Sequence, residues 1–376
     1  MSIYTDAQEI IHSALEACLP DQAVRRALEG KELGSGRVFL VALGKAAWQM
    51  ARCAAELLGP RLEQGVVVTK HGHSQGDIPR CQVFEGGHPV PDEGSFRGTR
   101  AAMELVQDLA PQDTVVLLVS GGGSALFERP LIPAEELAQL TSALLACGAD
   151  IVEMNTVRKR LSAVKGGRFA QLCAPAQVYS IVLSDILGDP LDMIASGPAY
   201  PDRSTCAQAR AIAEKYQLPL SGQARALLDQ ETPKELDNVE TVITGSVREL
   251  CSAAAAACQR LGYETHILTD QLCCQAREAG SFLASIARTH GQEGRSLALL
   301  AGGETVGLLT GKGLGGRNQE LALSAAEGIS GMENALIFSL GSDGTDGPTD
   351  AAGGIVDGQT RGKLAQACLL YTSPSP

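Results

Sequence analysis

Short apolar runs alternate with amphipathic stretches along most of the chain, and nearly every run stops at a glycine or serine. Arg37 to Leu43, RVFLVAL, reads as a buried strand; Gly44 and Lys45 follow, and then AAWQMARCAAELL at helical spacing. The same pattern recurs at 65–69, at 114–119 (TVVLLV) and at 178–183, with helices expected over 97–109 and from Ala125. A polar, irregular stretch, 218–238, with Pro233 inside it, reads as a linker. Beyond it come strands at 239–244, 263–268, 296–301 and 335–340, and helices at 247–261, 274–289 and from Arg317. Near the start, Ile10, Ile11, Ala14, Leu15 and Cys18 repeat at helical spacing among acidic residues, which describes an amphipathic helix and not a signal peptide. Strands alternating with helices make an α/β protein. A length of 376 residues exceeds one ordinary core, so two domains are expected, 1–235 and 236–376.

The chemistry is expected in the loops that follow the strands, because open parallel sheets bind ligands at their carboxyl ends. Lys45 stands where a strand enters a helix, a junction whose free amides favour an anion. Ser120, Gly121, Gly122, Gly123 and Ser124 follow the strand at 114–119, and a run of three glycines lets backbone amides wrap a phosphate or carboxylate. His71, His73 and His88 lie in nearby loops and read as a substrate rim. The segment Asn155 to Ala170 gathers Arg158, Lys159, Arg160, Lys165 and Arg168; such a cluster is more often a solvated face than an anion site, but in a chain this acidic it is the best local source of positive potential. Two acidic loops follow apolar strands: one with Asp185, Asp189 and Asp192, the other running from Phe338 to Gly354 with Asp343, Asp346 and Asp350. The second holds no cation of its own, so a metal ion, a substrate hydroxyl or a basic residue from elsewhere is expected to meet its acids.

Net charge of −12 argues against a broad nucleic-acid surface, which needs clustered Lys and Arg. Aromatics make up only 4% of the chain, so the core is aliphatic and rich in alanine. Eleven cysteines without a CxxC pair or secretion signal suit reduced thiols in a cytoplasm. No run approaches the ~20 apolar residues of a membrane-spanning helix.

Gly311, Gly313 and Gly316 satisfy GxGxxG, which would make a dinucleotide fingerprint with Asp343 as the ribose acid. Three features oppose it. Asp343 lies farther on than the usual ~20 residues. Lys312, Arg317, Asn318 and Gln319 make the turn polar and cationic, and the preceding ETVGLLT reads as an exposed hairpin strand. A cationic loop for carboxylate or phosphate fits better.

The motifs VALGKAA, GGHPVPDEGS, LVSGGGSAL, NTVRKRLSAVKGGR, SDILGDPLDMIASGP, AGGETVGLLTGKGLGGRNQELAL and SLGSDGTDGPTDAAGG, in that order, strongly resemble the glycerate 2-kinases, with a DUF4147-type N-terminal and a MOFRL-type C-terminal domain. The resemblance implies two α/β/α domains, the first Rossmann-like with a mostly parallel sheet and the second with a mixed sheet. It implies transfer of a phosphoryl group from ATP to the 2-hydroxyl of D-glycerate with Mg²⁺, no nucleic-acid or membrane partner, and is compatible with a homodimer. It gives catalytic roles to Lys45, Asp185, Arg317 and Asp343. Substrate or nucleotide binding falls to residues 120–124 and to Asn155, Lys165, Gly303, Glu304 and Asn318, and metal binding to Asp185 and Asp189. Some relatives carry the label hydroxypyruvate reductase, so a nicotinamide-dependent reductase or an inactive binding protein is the alternative. The last ten residues, ACLLYTSPSP, depart from the family's ending and read as a truncation or an appended segment.

Overall fold

The computed structural model describes residues 2–184, 188, 190–291, 294–308, 311 and 313–367. Asp185, Asp189, Lys312 and the terminal segment from 368 therefore lie outside the described residues. The chain divides into two compact units, Cys18–Ser246 and one that joins the residues through Ala17 to those from Val247 onward.

The unit Cys18–Ser246 is built on a six-stranded sheet. Its strands are β1 (Val38–Leu43), β2 (Leu62–Lys70), β3 (Cys81–Gly86), β4 (Thr114–Val119), β5 (Gln177–Leu183) and β6 (Val239–Thr244). They lie in the order β3-β2-β1-β4-β5-β6, and every neighbouring pair is parallel. All six residues of β1 and of β4 are buried, as expected of strands covered on both faces. Alternation along β1 divides the core: Phe39, Val41 and Leu43 join the cluster under the helix Glu93–Leu105, whereas Val38, Leu40 and Ala42 pack with the helix Ala47–Leu58. A third cluster ties together the helices Ala134–Ala146, Ile151–Arg160, Cys206–Lys215 and Gly222–Leu228. The chain fills the sheet outward from β1 in one direction and from β4 in the other. The strand order thus reverses between β1 and β4, and their carboxyl ends open a crevice there.

In the other unit, the helix Ile3–Ala17 packs against the helix Val247–Arg260 through Ile10, Ala257 and Cys258. Strands β7 (Glu264–Leu272) and β8 (Leu297–Gly303) pair in parallel, and β9 (Leu336–Leu340) and β10 (Gly353–Asp357) pair antiparallel. Both orientations expected of a mixed sheet are present, as two ladders. The helix Ala276–His290 meets the helix Arg317–Gly328 very closely at Gly280, where an added Cβ would stand 2.1 Å from the Leu321 carbonyl oxygen.

Two assignments made from the sequence pattern change. The expected linker at 218–238 contains the helix Gly222–Leu228, whose Ala224, Leu227 and Leu228 are buried in the third cluster. Strand β6 beyond it completes the first sheet by pairing with β5, so the units part at residue 246 and not at 235. The N-terminal helix belongs with the later residues: its Tyr4 hydroxyl donates to Asp357 at 2.7 Å, and the Tyr263 hydroxyl donates to Asp6 at 2.6 Å. Both partners are remote in sequence, and no local pattern reveals such pairings.

Candidate active site

At the β1/β4 crevice the two loops are locked together. The Lys45 amide donates to the Gly121 carbonyl at 2.8 Å, and the Ala46 amide donates to Ser120 Oγ at 3.1 Å. Ser120 is buried, and its hydroxyl donates to the Leu43 carbonyl at 3.3 Å. Gly44, at φ +114°, leaves no room for a side chain, because an added Cβ would stand 2.3 Å from Ser120 Oγ. Gly122 adopts φ +83°, and Gly123 packs against Leu43 and Ala195, each 2.6 Å from where its Cβ would be. Two of the three glycines thus have a conformational or packing reason.

The Lys45 side chain is exposed and has no carboxylate partner among the described residues. Its Cγ would lie 3.2 Å from a Cβ on Gly122, and the His88 ring 3.0 Å from the same point, so lysine and histidine flank the loop. Burial, together with the charges of Lys45, Lys70 and His73, pushes the His88 imidazole below its ordinary pKa. His73 Nδ1 lies 3.1 Å from the Lys45 carbonyl oxygen, and His71 Nε2 lies 2.6 Å from Asp92. The histidine loops therefore do border Lys45.

Behind the loop runs a buried polar chain. Ser124 Oγ meets Ser196 Oγ at 2.9 Å, and Ser196 in turn donates to Asn155 Oδ1 at 2.9 Å. Lys165 Nζ donates to the Ser124 carbonyl at 2.7 Å and pairs closely with Glu128, both side chains being fully buried. Burial pushes the Lys165 ammonium down to about 8, against the pull of Glu128. Ser120, Asn155 and Lys165, expected to bind substrate or nucleotide, lie inside and hold the chain around the loop in place. The basic segment turns inward as well. Lys159 pairs with Asp202 at 3.2 Å, Arg160 with Glu231 at 3.2 Å, and Arg168 donates to the Lys159 and Arg160 carbonyls at 3.1 Å.

In the other unit the acids of the 338–354 loop behave differently from one another. Asp346 is only 2% exposed and accepts four hydrogen bonds, from the Asn318 and Gln319 amides at 3.0 and 2.8 Å and from both side-chain amides at 3.1 Å. It therefore caps the helix Arg317–Gly328 from outside, which a carboxylate at the positive helix end favours. Burial alone would raise its pKa, but the four donors outweigh that and hold the carboxyl below the usual aspartate range. Gly316 is a glycine because an added Cβ would stand 2.2 Å from Asp346 Cγ. No metal or distant base is needed to neutralise this acid. Asp343 stays exposed: its Oδ1 accepts the Thr345 amide at 3.1 Å, and Oδ2 has no partner among the described residues. Arg317 reaches Glu304 at 2.8 Å, with both side chains about half exposed. Asn318 is committed to Asp346 and to the Ser339 hydroxyl, which donates to its Oδ1 at 2.6 Å. Gly303 abuts β7, with Leu272 O 2.1 Å from its Cβ position.

The GxGxxG glycines are not those of a dinucleotide turn. Space is open around Gly313, Gly316 is explained by Asp346, and among the described residues the stretch expected to form a hairpin makes one isolated bridge, Val306 to Gln275. Among the described residues no group of three or more His, Cys, Asp or Glu is arranged to hold a metal ion, and no helix is long and apolar enough to cross a membrane. The acids assigned to magnesium, Asp185 and Asp189, lie outside the described residues, so the residues on view do not by themselves build that site.

A family model described as a domain of unknown function, DUF4147, matches residues 6–229, and the MOFRL family model matches residues 297–372. A D-glycerate 2-kinase from Thermotoga maritima is 53% identical over 360 residues, covering 94% of this chain and 86% of that protein. The chain belongs to the glycerate 2-kinase family. A glycerate 2-kinase from Pyrococcus horikoshii is 40% identical, covering 97% of this chain and 88% of that protein. Within the glycerate 2-kinase family the fold is also shared: a crystal structure of a Thermotoga maritima glycerate kinase superposes with a TM-score of 0.94 at 51% identity, over 97% of this chain and 89% of that one.

Proposed function

We propose that this protein phosphorylates D-glycerate at the 2-hydroxyl, with ATP as donor. The observation that carries this reading is the Lys45 ammonium, unpaired among the described residues, at the β1/β4 switch point of a chain in the glycerate 2-kinase family. Phosphoryl transfer needs positioning and charge neutralisation more than covalent help. The substrate oxygen bonds to the γ-phosphorus, the bond to the β–γ bridging oxygen breaks, and ADP leaves. Lys45, with no carboxylate partner among the described residues, neutralises phosphoryl oxygens. Arg317 does the same once it lets go of Glu304, an exposed pair worth little to stability. Asp343, with one carboxylate oxygen unused, orients the attacking hydroxyl and accepts its proton. The Gly121–Ser124 loop supplies the floor, braced from behind by Ser120, Asn155 and Lys165. Mg²⁺ accompanies the nucleotide in this reading, with Asp185 and Asp189 as its assigned acids, and no step here is routed through it.

The reductase alternative is not favoured, because the relatives at 53% and 40% identity are glycerate 2-kinases and Gly316, one of the glycines that suggested it, is accounted for by Asp346. One experiment tests both. The protein is incubated with ATP, Mg²⁺ and D-glycerate, and 2-phosphoglycerate is sought by NMR, with NADH and hydroxypyruvate in a parallel tube. Oxidation of NADH without phosphorylated product would reverse the reading. Appearance of 3-phosphoglycerate would move the attacking oxygen.

A further inference from the structure

Five cations crowd residues 155–170, and four of them have internal partners: Lys159 with Asp202, Arg160 with Glu231, Lys165 with Glu128, and Arg168 with backbone carbonyls. Arg158 is the exception. Its side chain is half-buried, its Nε is shielded from solvent, and among the described residues its guanidinium has no hydrogen-bond or ion-pair partner. A guanidinium whose Nε is shut off from water without a partner is costly to hold, and such groups normally find one.

Its surroundings indicate what the partner is. Arg158 lies one turn beyond Asn155 on the helix Ile151–Arg160, so the two share a face. Asn155 is joined through Ser196 to Ser124, and Arg158 is near enough to Lys165, which holds the Ser124 carbonyl, for its charge to weigh on that ammonium. The segment that backs the loop is strained: Ala195 and Ser196 are consecutive non-glycine residues at φ +51° and +60°. Lys45 flanks the same loop at Gly122. With Lys165 and Glu128 cancelling, Arg158 leaves one uncompensated positive charge beside the loop's serine end.

We infer that Arg158 is the anchor for the carboxylate of the acid substrate, its guanidinium fork gripping that group while Lys45 serves the phosphoryl group. A planar fork matches a carboxylate with two parallel hydrogen bonds. This inference rests on the kinase reading for the identity of the acid.

The test uses Arg158→Met and Arg158→Lys. KM for D-glycerate should rise roughly ten- to a hundredfold in Arg158→Met, with kcat and the KM for ATP little changed, because a hydrogen bond to a charged group is lost. Arg158→Lys, which keeps the charge and loses the fork, should recover part of that. Without ligand, Arg158→Met should melt no lower than the unaltered protein, since no internal pair is broken. A fall of several degrees would mark a structural arginine and overturn the inference. A rise in KM for ATP alone would also overturn it, by making Arg158 a phosphate contact. Thermal stabilisation by D-lactate, a 2-hydroxy acid that carries the same carboxylate, measured without ATP so that nothing is turned over, separates the two readings. If D-glycerate is not turned over but D-lactate stabilises the unaltered protein and not Arg158→Met, the kinase reading fails and the carboxylate anchor stands. Equal stabilisation of both proteins sinks the anchor.

Discussion

Two of the cation–carboxylate pairs made by residues that the motifs single out are opposites. Lys165 and Glu128 are sealed from solvent, whereas Arg317 and Glu304 keep 46% and 49% of their side-chain surface exposed. In water an ion pair contributes little and opens easily. In the interior its partners hold each other in place, because losing either strands the other. The motif positions look equivalent in the sequence; burial decides that one pair is scaffold and the other is free to turn to a ligand.

The contrast is most sharply tested by Glu128→Ala. It should destabilise the fold by about 3–5 kcal/mol, seen in chemical denaturation, because Lys165 is left without its counter-charge. Adding Lys165→Met should recover much of the loss. Little effect from the single substitution would erase the distinction. Next in size, Arg317→Ala should cut turnover by roughly a hundred- to a thousandfold with an unchanged melting temperature, as for loss of a donor to developing charge. A variant that instead unfolds would make Arg317 scaffold too.

A smaller effect is expected from acid. The folded pKa of Asp346 lies below its unfolded value, so its contribution is present above the ordinary aspartate range and is lost as pH falls through the folded value. Stability should therefore drop below about pH 4, and Asp346→Asn should flatten that slope in melts recorded between those conditions. The smallest effect belongs to Glu304→Gln, which should shift stability by no more than about 0.5 kcal/mol. A larger loss would show that the exposed pair is held more firmly than its exposure implies.

Much of this was legible in the residues. Unbroken apolar runs such as VFLVAL and TVVLLV announce strands buried on both faces, and the Gly-Lys and Ser-Gly junctions after them mark the carboxyl edge. What remained hidden depends on long-range packing. A cluster such as Arg158 to Arg168 reads as surface from charge alone, since nothing local says that Asp202, Glu231 and Glu128 will arrive to bury it. Likewise Asp346 resembles Asp343 in sequence, and only the helix start at Asn318 and Gln319 separates a cap from a free acid. Strand β6 follows a polar stretch and so suggests a new domain, yet its register with β5 makes it the edge of the first sheet.

The hydroxyl of Ser120 has a consequence for binding thermodynamics. Because it stitches the chain after β4 to the chain after β1 through Leu43 and Ala46, the main chain beneath Lys45 is held by internal hydrogen bonds. An incoming ligand orders few backbone torsions there, and its entropic penalty falls mainly on side chains that reach over a rigid base. A substitution at Ser120 would loosen the main chain beneath Lys45 without touching the lysine itself.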